Sequence, residues 1–148
     1  PNASFDGYWS LGVIEHFWNG YDEIIKEAHR VLKPEGILFL AFPWFSPLRK
    51  FKARMGFYPL VDKNADEKSF YEFMLDHARV QTDLEHIGFE CVETLTFDAL
   101  KGFKDELGLL HAPLQKLYES RGILARAGRY FITILFAKVA GHMILLVC

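Results

Sequence analysis

The stretch from Phe5 to Phe42 limits the fold more than any other part of the chain. Asp6 to Val13 mixes aromatic and small residues and suits a buried strand. The acidic–His pair Glu15-His16 follows, and then an amphipathic run from Gly20 to Leu32. In that run Tyr21, Ile24, Ile25, Ala28, Val31 and Leu32 recur at helical spacing and form one apolar face. Asp22 and Glu23 stand in its first turn, with His29, Arg30 and Lys33 near its end. Each sign complements the helix dipole. Pro34-Glu35-Gly36 stops the helix. Ile37 to Phe42 is apolar throughout, as expected of a parallel strand covered on both faces. Strand, helix and strand in this order make a βαβ unit, whose crossover is right-handed.

Beyond it the pattern changes. Pro43 to Lys68 reads as a loop, with Pro43, Pro47, Gly56, Pro59 and a short helix near Leu48 to Met55. The loop carries a basic cluster, Arg49, Lys50, Lys52 and Arg54. Ser69 to Leu75 reads as a helical turn. Asp76 caps a helix that runs to Ile87 with Val80, Leu84 and Ile87 inward, and Gly88 ends it. Phe89 to Phe97 alternates as a strand, with Phe89, Cys91, Leu95 and Phe97 on one side. Lys101 to Gly141 is helical, cut by Pro113, Gly122 and Gly128, and His142 to Cys148 is a last strand.

Composition excludes several classes. The chain has 148 residues, 51% hydrophobic and 24% charged, which suits one globular domain. A net charge of −2 gives no general pull toward nucleic acid. The six histidines form no HxH, HxxxH or HExxH pattern, so no metal site is expected. Cys91 and Cys148 fit no zinc or redox spacing and read as two reduced thiols, with Cys91 in the core. The expected location is cytoplasmic. Tyr130 to Cys148 is mostly apolar and close to the ~20 residues that span a bilayer. Lys138 at its middle would cost about 2.5–3.5 kcal/mol there, which favours a buried helix followed by a strand.

The block from Phe5-Asp6 through Arg30-Val31-Leu32-Lys33-Pro34-Glu35-Gly36 and the apolar strand after it resembles the middle of class I S-adenosylmethionine-dependent methyltransferases, of the small-molecule type. That family has Gly where Glu35 stands, a difference confined to turn geometry. The resemblance implies an α/β fold: a mostly parallel, Rossmann-like sheet with an antiparallel last strand. This chain would supply the C-terminal portion of the domain, with a helical insert at about 101–141 and without the N-terminal strands. The Gly-rich loop and ribose carboxylate of the family are not in the sequence. The chain begins with Pro1 and reads as a piece of a longer protein.

The resemblance also implies roles. Ser10, Leu11 and Gly12 would contact the methionine part of S-adenosylmethionine. Glu15 and His16 would face the methyl-transfer region, where His16 orients the acceptor or takes its proton. Packing at the helix entry is the other reading of His16. Trp44 and Phe45, after a strand end, and Arg49 of the basic cluster would contact an apolar or anionic small-molecule substrate. Two further functions stay open. One is a non-catalytic module that dimerises, or pairs with a separate N-terminal half, through the edge of its first strand. The other is a membrane-associated protein anchored by residues 130–148.

Overall fold

The computed structural model describes residues 2–58, 67–68 and 70–148. The expected loop at Pro59 and most of its flank lie outside the described residues. The chain forms two compact units, Pro1–Trp44, Val61–Leu95 and Ile144–Cys148 in the first, Phe45–Leu60 and Thr96–Met143 in the second.

The first unit is built on the βαβ pattern. Strand β1 (Phe5–Leu11) leads through a 3-10 turn (Ile14–His16) to α1 (Asp22–Val31) and then β2 (Leu32–Pro43). The helix buries Ile25, Ala28 and Val31, the stripe read from the spacing. Its end differs from expectation. Leu32 already pairs with Phe5, and the next matched pair is Gly7 with Ile37. Lys33 to Gly36 therefore forms a bulge inside the strand. Glu35 takes a left-handed φ of 67° there. A Cβ on Gly36 would come within 3.1 Å of the Phe5 carbonyl oxygen, so a side chain there would crowd the bulge.

From Gly7 to Leu11, β1 runs parallel to β2 without further irregularity. The sheet order is β1-β2-β4-β3, with β3 at Glu93–Phe97 and β4 at Met143–Val147. Leu38 and Cys148 exchange both backbone hydrogen bonds, at 2.7 and 3.0 Å, the signature of an antiparallel pair. Helix α3 (His77–Ile87) follows its sequence signals closely. The Asp76 carboxylate accepts from the Ala78 amide, and Gly88 ends the helix at a φ of 113°. Leu38, Leu40, Phe42, Ile144 and Leu146 from the sheet join Ile25, Ala28, Val80 and Leu84 in one core. Large apolar side chains of this kind contribute roughly 1.5–3 kcal/mol each on full burial.

Three expectations fail in this unit. Residues 70–75 form no helical turn; they run extended, and Leu75 bridges Trp44 in parallel. Leu95 and Phe97 are exposed and do not share the buried side of Phe89. Cys91 and Cys148 are joined in a disulfide, not held as two thiols; the neighbouring Val92 N–H donates to the Val147 carbonyl at 2.8 Å and brings them together.

The second unit is helical: α2 (Pro47–Arg54), α4 (Ala99–Glu106), α5 (His111–Glu119) and α6 (Ile123–Ala140). Helices α4 and α6 meet on small residues. A Cβ added at Gly102 would lie 1.7 Å from the Ala140 carbonyl oxygen, so only glycine permits that approach. Helix α6 stops at Gly141 and β4 follows, as the sequence suggests. The helix is not buried, however: Leu124, Tyr130, Phe131, Ile134 and Leu135 are exposed. No helix among the described residues is long and apolar enough to cross a membrane.

Candidate active site

The carboxyl ends of β1 and β2 lie side by side, as the topology requires. The Gly12 amide donates to the Ala41 carbonyl at 2.8 Å. The extended segment at 70–75 then ties both strand ends together. Phe73 N–H donates to the Glu15 carbonyl at 2.9 Å, and Leu75 N–H to the Pro43 carbonyl at 3.1 Å. His16 thus sits on the carboxyl edge of the sheet.

This edge holds buried polar atoms without partners. Ser10 is buried at the end of β1, and its Oγ has no hydrogen-bond partner among the described residues. Glu15 is 2% exposed, and its Oε2 also lacks one. Such groups cost roughly 1–3 kcal/mol each when left alone, so this edge carries polar groups that the fold itself does not satisfy. Burial pushes the Glu15 carboxyl above its ordinary pKa, although its own amide and His16 pull the other way. Gly12 takes a φ of 69°, and a Cβ there would stand 3.4 Å from Glu15 Oε1. A side chain at this position would be strained and would press on the carboxylate.

His16 is exposed and its ring is oriented. Nδ1 lies 2.7 Å from the Tyr71 carbonyl oxygen, which can only accept, so Nδ1 carries the proton. Nε2 then turns toward Glu15 Oε1 at 3.9 Å. Tyr71 also meets the imidazole edge-on, with centroids 5.3 Å apart. Beside the turn, Ile14, Phe17, Trp18, Phe73, Arg79 and Asp83 line a cleft. Trp18 stacks on Phe73 at 5.9 Å.

The remaining expected residues are placed differently. Leu11 is exposed at the strand end. Trp44 is a core residue, edge-on to His77 at 5.2 Å, and is not open to a substrate. Phe45 is half-buried and opens the second unit. Arg49 lies in α2, not in a solvated loop, and is only 2% exposed. Its Nε donates to Glu106 Oε1 at 2.8 Å, and its Nη2 lies 2.9 Å from His142 Nδ1. Lys52 and Tyr58 converge on the other Glu106 oxygen at 2.7 and 2.6 Å. Burial would raise the Glu106 pKa, but the hydrogen bonds from Lys52, Tyr58 and Arg49 outweigh it and hold it below the ordinary value. This burial and pairing remove Arg49 from the anion-binding role expected of the basic cluster.

Residues 1–40 match the model of a methyltransferase domain. A search of curated proteins finds no significant match. Among solved structures, a SAM-dependent methyltransferase from Archaeoglobus fulgidus matches with a TM-score of 0.55 at 15% identity, over 99% of this chain and 60% of that one. The cyclopropane synthase MmaA2 from Mycobacterium tuberculosis matches with a TM-score of 0.53 at 19% identity, over 99% and 56%. A further S-adenosylmethionine-dependent methyltransferase, from Mesorhizobium loti, gives 0.52 at 12% identity, over 99% and 62%. The chain has the class I methyltransferase fold. It spans about 56–62% of the length of these three methyltransferase-fold structures.

The methyltransferase match and the βαβ unit coincide, since both centre on β1, α1 and the start of β2. What sequence reasoning missed is the segment at 70–73. Tyr71 orients the His16 ring, Phe73 anchors the Glu15 backbone, and Glu72 joins Glu15 and His16 in one cluster. The aromatic run Phe70-Tyr71 before Glu72-Phe73 was the available signal, but its spacing suggested a helical turn.

Proposed function

We propose that this chain carries part of the active site of an S-adenosylmethionine-dependent methyltransferase acting on a small molecule. The observation that carries the reading is the pair of buried, unpartnered polar atoms, Ser10 Oγ and Glu15 Oε2, at the carboxyl edge of a βαβ unit. Ser10, Leu11 and Gly12 would contact the methionine part of the cofactor. Gly12 suits that task because no Cβ separates its backbone from a ligand. Bound S-adenosylmethionine would supply an electrophilic methyl group to a lone pair of the acceptor.

The chain's residues would hold the acceptor in line with that methyl group, which is where most of the rate enhancement arises. The cleft lined by Phe17, Trp18 and Phe73 is the proposed acceptor entrance. His16, with its proton on Nδ1, offers a bare Nε2 to take a proton from the acceptor. Glu15 would stabilise the imidazolium so formed.

The test is His16→Ala in the full-length protein, with turnover and cofactor affinity measured separately. Turnover should fall by about 100-fold or more, the usual range for a general base, while S-adenosylmethionine affinity stays within about threefold. Unchanged turnover would remove His16 from the mechanism. A full-length protein that does not bind S-adenosylmethionine at all would overturn the reading.

A further inference from the structure

We propose that Glu15, His16 and Glu72 form a binding site for one divalent transition-metal ion, such as Zn2+ or Mn2+. One ligand atom from each of the three lies within 4.8 Å of the others. Two donors bound at ~2.1 Å to one ion stand roughly 3–4 Å apart, so small side-chain rotations close the site. One imidazole with two carboxylates suits zinc or manganese better than magnesium, which prefers to keep its water.

Two observations point to a ligand and not merely to a group of polar residues. The first is the buried carboxylate. Glu15 is 2% exposed, yet Oε2 has no partner among the described residues. The second is the orientation of His16. Metal-bound histidines generally donate their other ring N–H to a carbonyl or carboxylate, which fixes the tautomer. Here Nδ1 is fixed in that way by the Tyr71 carbonyl, at 2.7 Å. The consequence is two acceptors facing each other, Nε2 and Glu15 Oε1, 3.9 Å apart. A cation placed between them would be held by both lone pairs. A single proton on His16 would offset one carboxylate, and Glu72 adds a second. A dication matches the pair of carboxylates and uses the imidazole lone pair as well.

The site shares residues with the proposed active centre, but its existence does not depend on methyl transfer. With an ion bound, His16 Nε2 would be its ligand and no longer the base, and the ion would instead polarise the acceptor's oxygen or nitrogen and ease its deprotonation. That further step rests on the methyltransferase reading.

The experiment uses the whole chain, stripped with a chelator and free of S-adenosylmethionine. Zn2+ is titrated by calorimetry and Mn2+ by electron paramagnetic resonance. The expected result is one ion per chain, with affinity reduced about tenfold or more in each of Glu15→Gln, His16→Ala and Glu72→Gln. Circular dichroism checks that each variant is folded. Should Glu15→Gln unfold, the other two variants decide, because His16 is exposed and Glu72 is only partly buried. Absence of saturable binding overturns the proposal. So does binding that folded Glu72→Gln and His16→Ala chains retain unchanged, which would assign the ion to other surface histidines. Cation binding is read without turnover, so its failure and the failure of the methyltransferase reading are separate results.

Discussion

The two units of the chain treat polar and apolar groups in opposite ways. The first unit buries Leu38, Leu40, Phe42, Ile144 and Leu146 in an apolar core, and leaves Ser10 Oγ and Glu15 Oε2 unpartnered at one sheet edge. The second unit buries charge and pairs it: Glu106 accepts from Arg49, Lys52 and Tyr58. Meanwhile it presents Leu124, Phe131 and Leu135 to solvent. Buried polar atoms without a protein partner leave hydrogen-bonding capacity for water or a ligand. Fully paired ones mark where the fold depends on them. On this contrast the proposed chemistry belongs to the first unit, and the buried, paired arginine of the second belongs to its packing.

The largest effect that could break the contrast is expected at Glu106. Replacing it with Ala leaves Arg49 and Lys52 without their shared acceptor. The loss should be about 3–5 kcal/mol, as for other broken buried pairs, measured by urea denaturation. A loss under about 1 kcal/mol would show that the network is dispensable.

Acid should separate the two units next. Burial, together with the nearby Lys101 and Arg49 charges, lowers the His142 pKa from 6.5 to about 4. Asp105 Oδ2 lies 3.6 Å from the same ring nitrogen, but Arg49 already occupies that lone pair, so the ring stays neutral. The unfolded chain then binds a proton that the folded chain refuses. The stability from His142 is complete above pH 6.5 and is lost as pH falls toward about 4. The depressed Glu106 and Asp105 carboxyls extend the loss to lower pH. All three tryptophans, Trp9, Trp18 and Trp44, belong to the first unit, so their emission reports mainly on that unit. Helical ellipticity should decline first on acidification, with tryptophan emission following at lower pH. Coincident transitions, or an unchanged slope in His142→Gln, would contradict this.

Gly102→Ala probes the helix contact of the second unit. The added Cβ would meet the Ala140 carbonyl oxygen at 1.7 Å, so α4 and α6 must separate. Overpacking of this kind costs about 1–3 kcal/mol in denaturation experiments. The smallest expected effect lies in the first unit. Ser10→Ala removes a hydroxyl that has no partner, so stability should be unchanged or rise by up to about 1 kcal/mol. A clear loss would mean that Ser10 is bonded in solution and does not await a ligand.

The parts of this molecule that were legible in the sequence are those set by local rules. The α1 stripe, the Asp76 cap and the Gly88 stop follow from spacing and backbone preference, and each is present. So is the adjacency of Ser10, Gly12 and His16 on one sheet edge, because βαβ topology dictates it. What was not legible depends on contacts distant in sequence. The bulge at Lys33 to Gly36 depends on how Phe5 pairs with Leu32. The extended course of residues 70–75 depends on carbonyls at Glu15 and Pro43, which no periodicity announces. Arg49 looked like surface charge because its partners, Glu106 and His142, stand far along the chain.

The open face of α6 has a calorimetric consequence. Leu124, Tyr130, Phe131, Ile134 and Leu135 already meet water in the folded chain, so unfolding exposes little further apolar surface there. The heat-capacity increment of unfolding should therefore fall below the usual ~12–15 cal/mol/K per residue. A smaller increment flattens the curve of stability against temperature, and makes this chain less prone to cold denaturation than its length alone would suggest.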